Sequence, residues 1–530
     1  MHGTCLQAPD HKVAGHLERA TVIGSFALIS FAYFYAAISR SIADYFQMDE
    51  VLAVSAARAP SLSRVWDAIW AGTDFSPPTY HFLLHGFVQV AGAADGHLVW
   101  RLPAIVAVYG AALCTYWLLV KFRLSRLSAV FGFGIVLAFG LFDYAIQVRQ
   151  YALLTLGLAI ALLLWSGIEN TPVGKVRIGC LWLALSACLC LHFYGVVEVA
   201  AIGTAELVYW ISRRRFRIAV WTALLLTVPV EAALYPLAAH LAAFNAGDNL
   251  AASYYAKPGL GGFVSALFDV VGGGGFGTLL LLFVFLAVGI AHLLEPVERR
   301  LPAAFEAVPR RQTAGLTEIE IVIVALCFLP VITFAFSAFV TGSFSTRYMV
   351  AGALLPAIAA PYMLDKLPSR WLVAPAMATF ICGILILRAH APNATADALE
   401  VLQKARPSLP IVVGDGYLYI DLMEAADAST RSNLVYLKRP AGSRSPDPTN
   451  ENMIIRLATL HPEYRVSEQN VFLAGNPEFY ELYRPGGFTD TTTPALIEKG
   501  LLGTVLDAER GFLLFRALSP AASHQDGGDK

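Results

Sequence analysis

Asp49 and Glu50 stand side by side in Tyr45-Phe-Gln-Met-Asp-Glu-Val-Leu52, just after the first apolar run of the chain. A carboxylate of this kind suits activation of a hydroxyl or amine nucleophile. The surrounding loop also carries Asp44, Arg58, Arg64, Asp67 and Asp74. Three arginines begin later apolar runs: Arg101 in Val99-Trp-Arg-Leu-Pro103, Arg149 in Tyr144-Ala-Ile-Gln-Val-Arg-Gln-Tyr151, and Arg347 in Phe344-Ser-Thr-Arg-Tyr348. A guanidinium fork binds two oxygens of one phosphate at once. Ionisable groups at membrane depth are costly and tend to mark function. From residue types alone, the set suits an anionic, lipid-borne ligand. A plainer reading stands beside it. Such arginines also snorkel or pair with loop acids, Glu50 suits a helix start, and Asp74 before Ser76-Pro-Pro78 suits a turn. His81, His85 and His192 are read first as packed or interfacial residues.

The elements that must position these groups are membrane spans. Of 530 residues, 57% are hydrophobic and 15% charged, against roughly 25% charged in a soluble domain. The formal net charge of −1 carries no information about partners, and no nucleic-acid partner is expected. Apolar runs of spanning length lie near residues 20–39, 99–120, 127–145, 150–168, 178–193, 196–211, 218–237, 264–292, 319–340, 348–364 and 371–389. An all-α polytopic bundle of about eleven helices is therefore expected. The first run lacks a small-residue cleavage site and reads as a span. The run 178–211 is split at His192-Phe-Tyr-Gly195.

Charge settles the remaining ambiguity. The basic loops are Lys121–Arg126, Lys175–Arg177, Arg213–Arg217, Arg299 to Arg311, and Lys366–Arg370. All are cytoplasmic, along with Lys12 and Arg19, only if Pro78 to Ala94 does not cross. That segment is expected to be a surface or re-entrant helix on the outer face, with His81 and His85 half-wet. The outer face then receives the loop 40–98, the corner Asp143 to Tyr151, the His192 turn, the loop 238–263, the turn Thr341 to Arg347, and everything after about 390. The N-terminus is expected in the cytoplasm and the chain in the plasma (inner) membrane.

Residues 391–518 change character, becoming polar and Pro-punctuated. Pro410-Ile-Val-Val-Gly-Asp415 reads as a buried strand and turn, Leu418 to Ala426 as a helix, and Asn433-Leu-Val-Tyr-Leu and Gly511-Phe-Leu-Leu-Phe as further strands. A small extracytoplasmic α/β domain is expected, without chemistry of its own, ending in a disordered tail over 519–530. The seven cysteines are scattered, with none after Cys382 and no metal-site spacing, and read as small hydrophobes.

The order of these motifs resembles the GT-C class of integral-membrane glycosyltransferases, in the branch of protein O-mannosyltransferases and bacterial aminoarabinose transferase. One span is followed by Asp49-Glu50, then by Pro77-Pro78-Thr-Tyr80-His-Phe-Leu-Leu-His85, similar to the Pro-Pro-Leu-Tyr-Tyr-Leu-Leu stretch of that class. Arg101-Leu-Pro103, Arg149-Gln-Tyr151-Ala-Leu153, Leu191-His192-Phe-Tyr194 and Arg347-Tyr348 follow in order, so the resemblance covers most of residues 20–390. It implies a transmembrane domain over 1–390 with juxtamembrane helices in the first outer loop. It also implies transfer of a sugar, with inversion, from a polyprenyl-phosphate carrier to an envelope glycan, a lipid or a protein. Asp49 is the implied catalytic carboxylate. Arg149 and Arg347 are the implied phosphate ligands, with Tyr151 or Tyr348 donating hydrogen bonds, and Arg101 holds the phosphate or the acidic loop. Glu50, Arg58 and Asp74 support the loop or the acceptor. Many relatives carry His or an acidic-basic pair before the Pro-Pro, where this chain has Ser76, so a divalent metal is left open and no other cofactor is expected. The alternative is a transporter or flippase of a lipid-linked anion, which calls for mid-span acids such as Glu198, Glu206 or Glu231 on broken, repeated helices.

Overall fold

The computed structural model describes residues 11–91, 96–168, 174–245, 256–272, 315–366, 370–406, 408–438, 448–485, 490 and 492–519. They form two compact units. One comprises residues 1–40, 101–235 and 258–390; the other comprises 41–100, 236–257 and 391–530. The first outer loop and the C-terminal segment thus belong to the same unit.

Seven described segments are long and apolar enough to cross a membrane, from Glu18–Ala43 to Ala376–Leu402. Arg126–Ala138, Tyr151–Trp165 and Leu260–Val270 are apolar but shorter, and most of the expected span 264–292 lies outside the described residues. The helix Arg126–Ala138 is buried on all sides from Leu127 to Ala138, the place for a helix that is apolar all round. It packs against Leu354–Leu364 and Arg370–Ala389. Gly132 makes that approach possible, since a Cβ there would lie 2.5 Å from the Ala357 carbonyl oxygen. Helix Tyr151–Trp165 packs on Lys175–Leu191, and Gly195–Arg213 on Glu318–Phe336. The chain breaks at His192 to Tyr194, between the helices Lys175–Leu191 and Gly195–Arg213. The expected span at 348–364 starts as a tighter 3-10 turn over Thr346–Ala353 before Leu354–Leu364 continues it.

The second unit contains a six-stranded sheet. Its strands are β1 (Ile411–Val413), β2 (Leu434–Lys438), β3 (Val466–Glu468), β4 (Glu478–Tyr483), β5 (Leu502–Asp507) and β6 (Leu513–Leu518). The order is β3-β2-β1-β4-β6-β5. β1 lies parallel to both β2 and β4, with Ile411 opposite Leu434 and Tyr480, while β6 runs antiparallel between β4 and β5. The continuous apolar run Ile411-Val-Val413 is buried at every position, as a central parallel strand requires. Helix Gly416–Ala425 starts where the Asp415 side chain accepts from Tyr417 N and Leu418 N at 3.0 and 3.3 Å. The sheet and this helix are the expected α/β domain; of the expected tail, residues 520–530 lie outside the described residues.

Three helices of the first loop join this unit: Met48–Ala57, Leu62–Trp70 and Thr79–Ala91. At 13 residues Thr79–Ala91 spans about 20 Å, short of a hydrocarbon core of about 30 Å. Its histidines differ from expectation: His81 is fully buried and His85 nearly so. Both rings find internal partners, His81 Nε2 on Asp74 Oδ2 at 3.2 Å and His85 Nδ1–H on the Ala57 carbonyl at 2.9 Å. The Leu62–Trp70 helix exposes Leu62, Trp66 and Trp70, a composition suited to an interfacial position.

Inside the sheet, Thr493 Oγ1 lies 2.6 Å from both Glu481 Oε1 and Asp490 Oδ2. A hydroxyl has one proton to donate, so one of these carboxyls carries a proton of its own. Burial, reinforced by the charge of Asp490, pushes Glu481 well above the ordinary Glu range. Burial raises Asp490 as well, but Asp490 accepts a further bond from Thr493 N at 3.0 Å, which favours its charged form. Glu481 is therefore the protonated partner. For a carboxyl raised on folding, the stability contribution is complete below its unfolded value and is lost as pH rises through the folded one. Glu481→Gln cannot ionise, so its Tm advantage over the wild type should grow from about pH 5 to about pH 9. Thermal unfolding of the full chain in detergent reads this; an equal offset at both ends is the contrary result.

Candidate functional site

The helix Met48–Ala57 separates the two adjacent acids. Glu50, the third helical residue, is buried and its Oε2 accepts from Gln47 N at 3.0 Å, the return half of a capping box. Asp49 is only partly buried. It lies in the first turn, where the helix N-terminus favours a negative charge. The structure thus gives Glu50 the helix-start role and leaves Asp49 the more accessible carboxylate. Arg58 closes the same helix, with its guanidinium 5.3 Å from the Trp100 ring centre. Asp74 is buried, accepting from Ser76 Oγ at 3.2 Å as well as facing His81. Among the described residues, no group of three or more His, Cys, Asp or Glu converges as a metal set.

The membrane-spanning unit brings four of the sequence-predicted residues together. The link is His192, at the helix break. Its ring centre lies 5.4 Å from Tyr151 and 5.7 Å from Tyr348. The Arg149 guanidinium sits 5.9 Å from the Tyr151 ring and Arg347 5.8 Å from the Tyr348 ring. Tyr194 stacks on Tyr348 at 4.0 Å, and its hydroxyl donates to the Ser343 carbonyl at 2.6 Å. Two further hydroxyls, Ser337 Oγ and Thr341 Oγ1, lie 2.9 and 2.7 Å from it. Tyr194 N–H donates to His192 Nδ1 at 3.0 Å. That nitrogen accepts, so the ring proton is on Nε2. Arg101, at 1% exposure, is buried near the start of its own helix.

Several members of this cluster escaped the sequence reading. Tyr144 stacks edge-on with Tyr151 at 5.5 Å. Burial chiefly, then the Tyr151 hydroxyl, pushes the Tyr144 hydroxyl upward; Arg347 pulls it back. Asp143 accepts from Arg388 Nη1 at 2.6 Å, and Thr346 Oγ1 lies 3.5 Å from Asp269 Oδ2. The signal for His192 and Tyr194 was present as a polar, aromatic interruption of an apolar run. Nothing local marked Asp143 as the partner of Arg388. What the cluster offers chemically is two guanidinium groups among aromatic hydroxyls and a neutral imidazole, a set suited to an oxyanion.

The whole-chain comparison is with ArnT from Cupriavidus metallidurans in its apo state: TM-score 0.52, 15% identity, over 94% of this chain and 98% of that one. The fold is of the GT-C type. Further GT-C structures match more loosely. ArnT bound to undecaprenyl phosphate gives 0.49 at 14% identity over 94% of this chain and 98% of that one. The archaeal oligosaccharyltransferase AglB from Archaeoglobus fulgidus, in complex with an inhibitory peptide and a dolichol-phosphate, gives 0.42 at 12% over 94% and 74%. No protein-family model and no curated protein matches the sequence.

The division of labour between the adjacent acids has a direct check. Glu50→Gln preserves a side chain that can reach back to Gln47 N–H, and should keep a Tm close to that of the wild type. Glu50→Ala removes that bond and should cost about 1 kcal/mol of stability, read as a lowered Tm. A Tm in Glu50→Gln as low as that of Glu50→Ala is the contrary result.

Proposed function

We propose that this protein is an inverting glycosyltransferase that moves a sugar from a polyprenyl-phosphate carrier to an acceptor on the outer face of the membrane. The observation that carries the reading is the convergence of Arg149, Tyr151, Arg347 and Tyr348 around His192, within a chain of ArnT-like fold. The acceptor class is an envelope glycan, a glycolipid or a protein. The N-terminus is cytoplasmic and the C-terminal segment extracytoplasmic, as the loop charges suggest.

The chemistry divides into two tasks. The first is leaving-group stabilisation: the bond from the sugar's anomeric carbon to the phosphate oxygen breaks, and the electron pair goes to the lipid phosphate. Arg149 and Arg347 neutralise that charge, with Tyr151 and Tyr348 as hydrogen-bond donors and Arg101 as a further cation. A phosphate needs no separate general acid, so charge stabilisation dominates. The second task is activation of the acceptor. Asp49 orients its hydroxyl or amine and takes the proton as the new bond forms on the opposite face of the sugar. Glu50, Arg58 and Asp74 act as supports of the loop that carries Asp49.

Of the three mid-span acids of the transporter alternative, Glu206 is engaged in an internal ion pair. Glu206 accepts from Arg217 Nε at 3.0 and 3.2 Å and from Trp165 Nε1 at 3.1 Å, and Arg217 stacks 3.7 Å from the Tyr209 ring. A carboxylate so enclosed suits structure rather than a translocation path.

In vitro transfer from a polyprenyl-phosphate sugar in detergent should fall by about a hundredfold or more in Asp49→Asn, with donor binding retained. Arg149→Ala should instead weaken donor binding, read as a raised donor KM. Full activity in Asp49→Asn excludes its assignment as the catalytic carboxylate.

A further inference from the structure

Tyr194 touches the segment that carries Arg347 at two places. That segment follows the helix Glu318–Phe336, whose end passes into a wider π turn over Ser337–Thr341. Turns of that kind are rare and frequently lie at functional sites. Gly342 closes it at φ +69°, in the left-handed region that favours glycine. Phe339 and Val340 are exposed on this turn, whereas Ser337 is fully buried. From Ser345 the chain tightens again. Tyr348 N–H donates to the Ser345 carbonyl at 3.0 Å, opening the 3-10 turn Thr346–Ala353.

The phenol holds the near end of this segment. Its hydroxyl donates to the Ser343 carbonyl at 2.6 Å, and its oxygen lies 2.9 Å from Ser337 Oγ and 2.7 Å from Thr341 Oγ1. A phenol has one proton to give; with that proton on the carbonyl, the two hydroxyls donate to the phenol oxygen. Thr341 Oγ1 also accepts from Ser343 N at 3.3 Å, so the amide and the carbonyl of Ser343 are both tied. The ring holds the far end. It stacks on Tyr348 at 4.0 Å with 14° between the planes, and meets Phe336 edge-on at 5.2 Å. Arg347 stands between the two attachment points, its guanidinium 5.8 Å from the Tyr348 ring. All of these residues belong to the membrane-spanning unit.

We propose that Tyr194 is a positioning residue for Arg347, fixing the segment 343–348 by its hydroxyl at one end and its ring at the other. This rests on the assignment of Arg347 as a ligand of the carrier phosphate. A long arginine side chain loses conformational freedom when it binds, and a backbone held in advance reduces what binding must still order. Removing the hydroxyl alone takes the donor from the Ser343 carbonyl and leaves the ring on Tyr348, so tether and stacking are separable. A tyrosine that only stabilised the bundle would lower Tm without regard to the phosphate. One that positions Arg347 changes phosphate binding only while Arg347 is present.

The test uses the full chain in detergent with undecaprenyl phosphate as the probe, reading Kd for wild type, Tyr194→Phe, Arg347→Ala and the double variant. Arg347→Ala should weaken binding by about tenfold or more. Tyr194→Phe keeps the ring and removes the tether, and should weaken binding by about fivefold. In the Arg347→Ala background the same substitution should change Kd by less than about twofold, because its effect passes through the missing guanidinium. Wild-type Kd in Tyr194→Phe, or an undiminished loss in the Arg347→Ala background, overturns the proposal. If Tyr194→Phe does not elute as a monodisperse species, Thr341→Val takes its place in the cycle, since it removes the hydroxyl that joins Tyr194 to Ser343. The same ratios are then expected, and the same two results overturn the proposal. Failure of the cycle with Arg347→Ala weakened leaves the phosphate role of Arg347 intact, whereas wild-type Kd in Arg347→Ala removes both.

Discussion

The hydrogen bond from Tyr194 N–H to His192 Nδ1 holds the break on which the membrane-spanning unit depends. A helix interrupted inside an apolar bundle exposes backbone groups that lipid cannot satisfy. The His192 side chain takes one of those donors, and the next helix restarts at Gly195, where a Cβ would lie 2.2 Å from the Cys188 carbonyl. With the break held, the Tyr194 hydroxyl ties down Ser343 and the ring stacks on Tyr348. Arg347 is the neighbour of Tyr348, and Arg149 lies over the Tyr151 ring on the other side of His192. The two tyrosine rings beside the arginines thus meet the ring of His192 at a turn that this bond closes.

The same economy of backbone partners shapes the second unit. Four N–H groups at a helix start need acceptors, and carboxylates are well suited to supply them. At Met48–Ala57 the helix supplies one itself, Glu50 on Gln47 N–H. Buried carboxyls elsewhere in the unit follow a different rule. Glu481 and Asp490 share the single proton of a threonine hydroxyl, so burial must leave one of them neutral.

Much of this was legible in one dimension. Apolar runs, loop charge and the change of composition near residue 390 led to a helical membrane bundle with an α/β segment after it. The strand at Ile411, the helix after Asp415 and the break at His192 all carry strong local patterns, a continuous apolar run, a capping residue and a polar interruption. Less was legible where burial and polarity disagree. β4, with Glu478 and Glu481 in Glu-Phe-Tyr-Glu-Leu-Tyr, does not read as a core strand, and His81 was expected to be half-wet because its partner Asp74 lies seven residues away on a turn.

By itself, the sequence determined which residues are charged, aromatic or apolar and the order in which the chain offers them. That is enough to nominate Asp49, Arg149 and Arg347, because placing charge beside an apolar run is costly wherever it occurs. It could not assign roles within a pair of identical charge. Asp49 and Glu50 differ only in which backbone N–H lies within reach, a matter of helix register and cap geometry. Nor could it join His192 to Tyr151 and Tyr348. Contacts between residues tens to hundreds apart are decided by which helices and strands pack together, and only the tertiary structure contains that information.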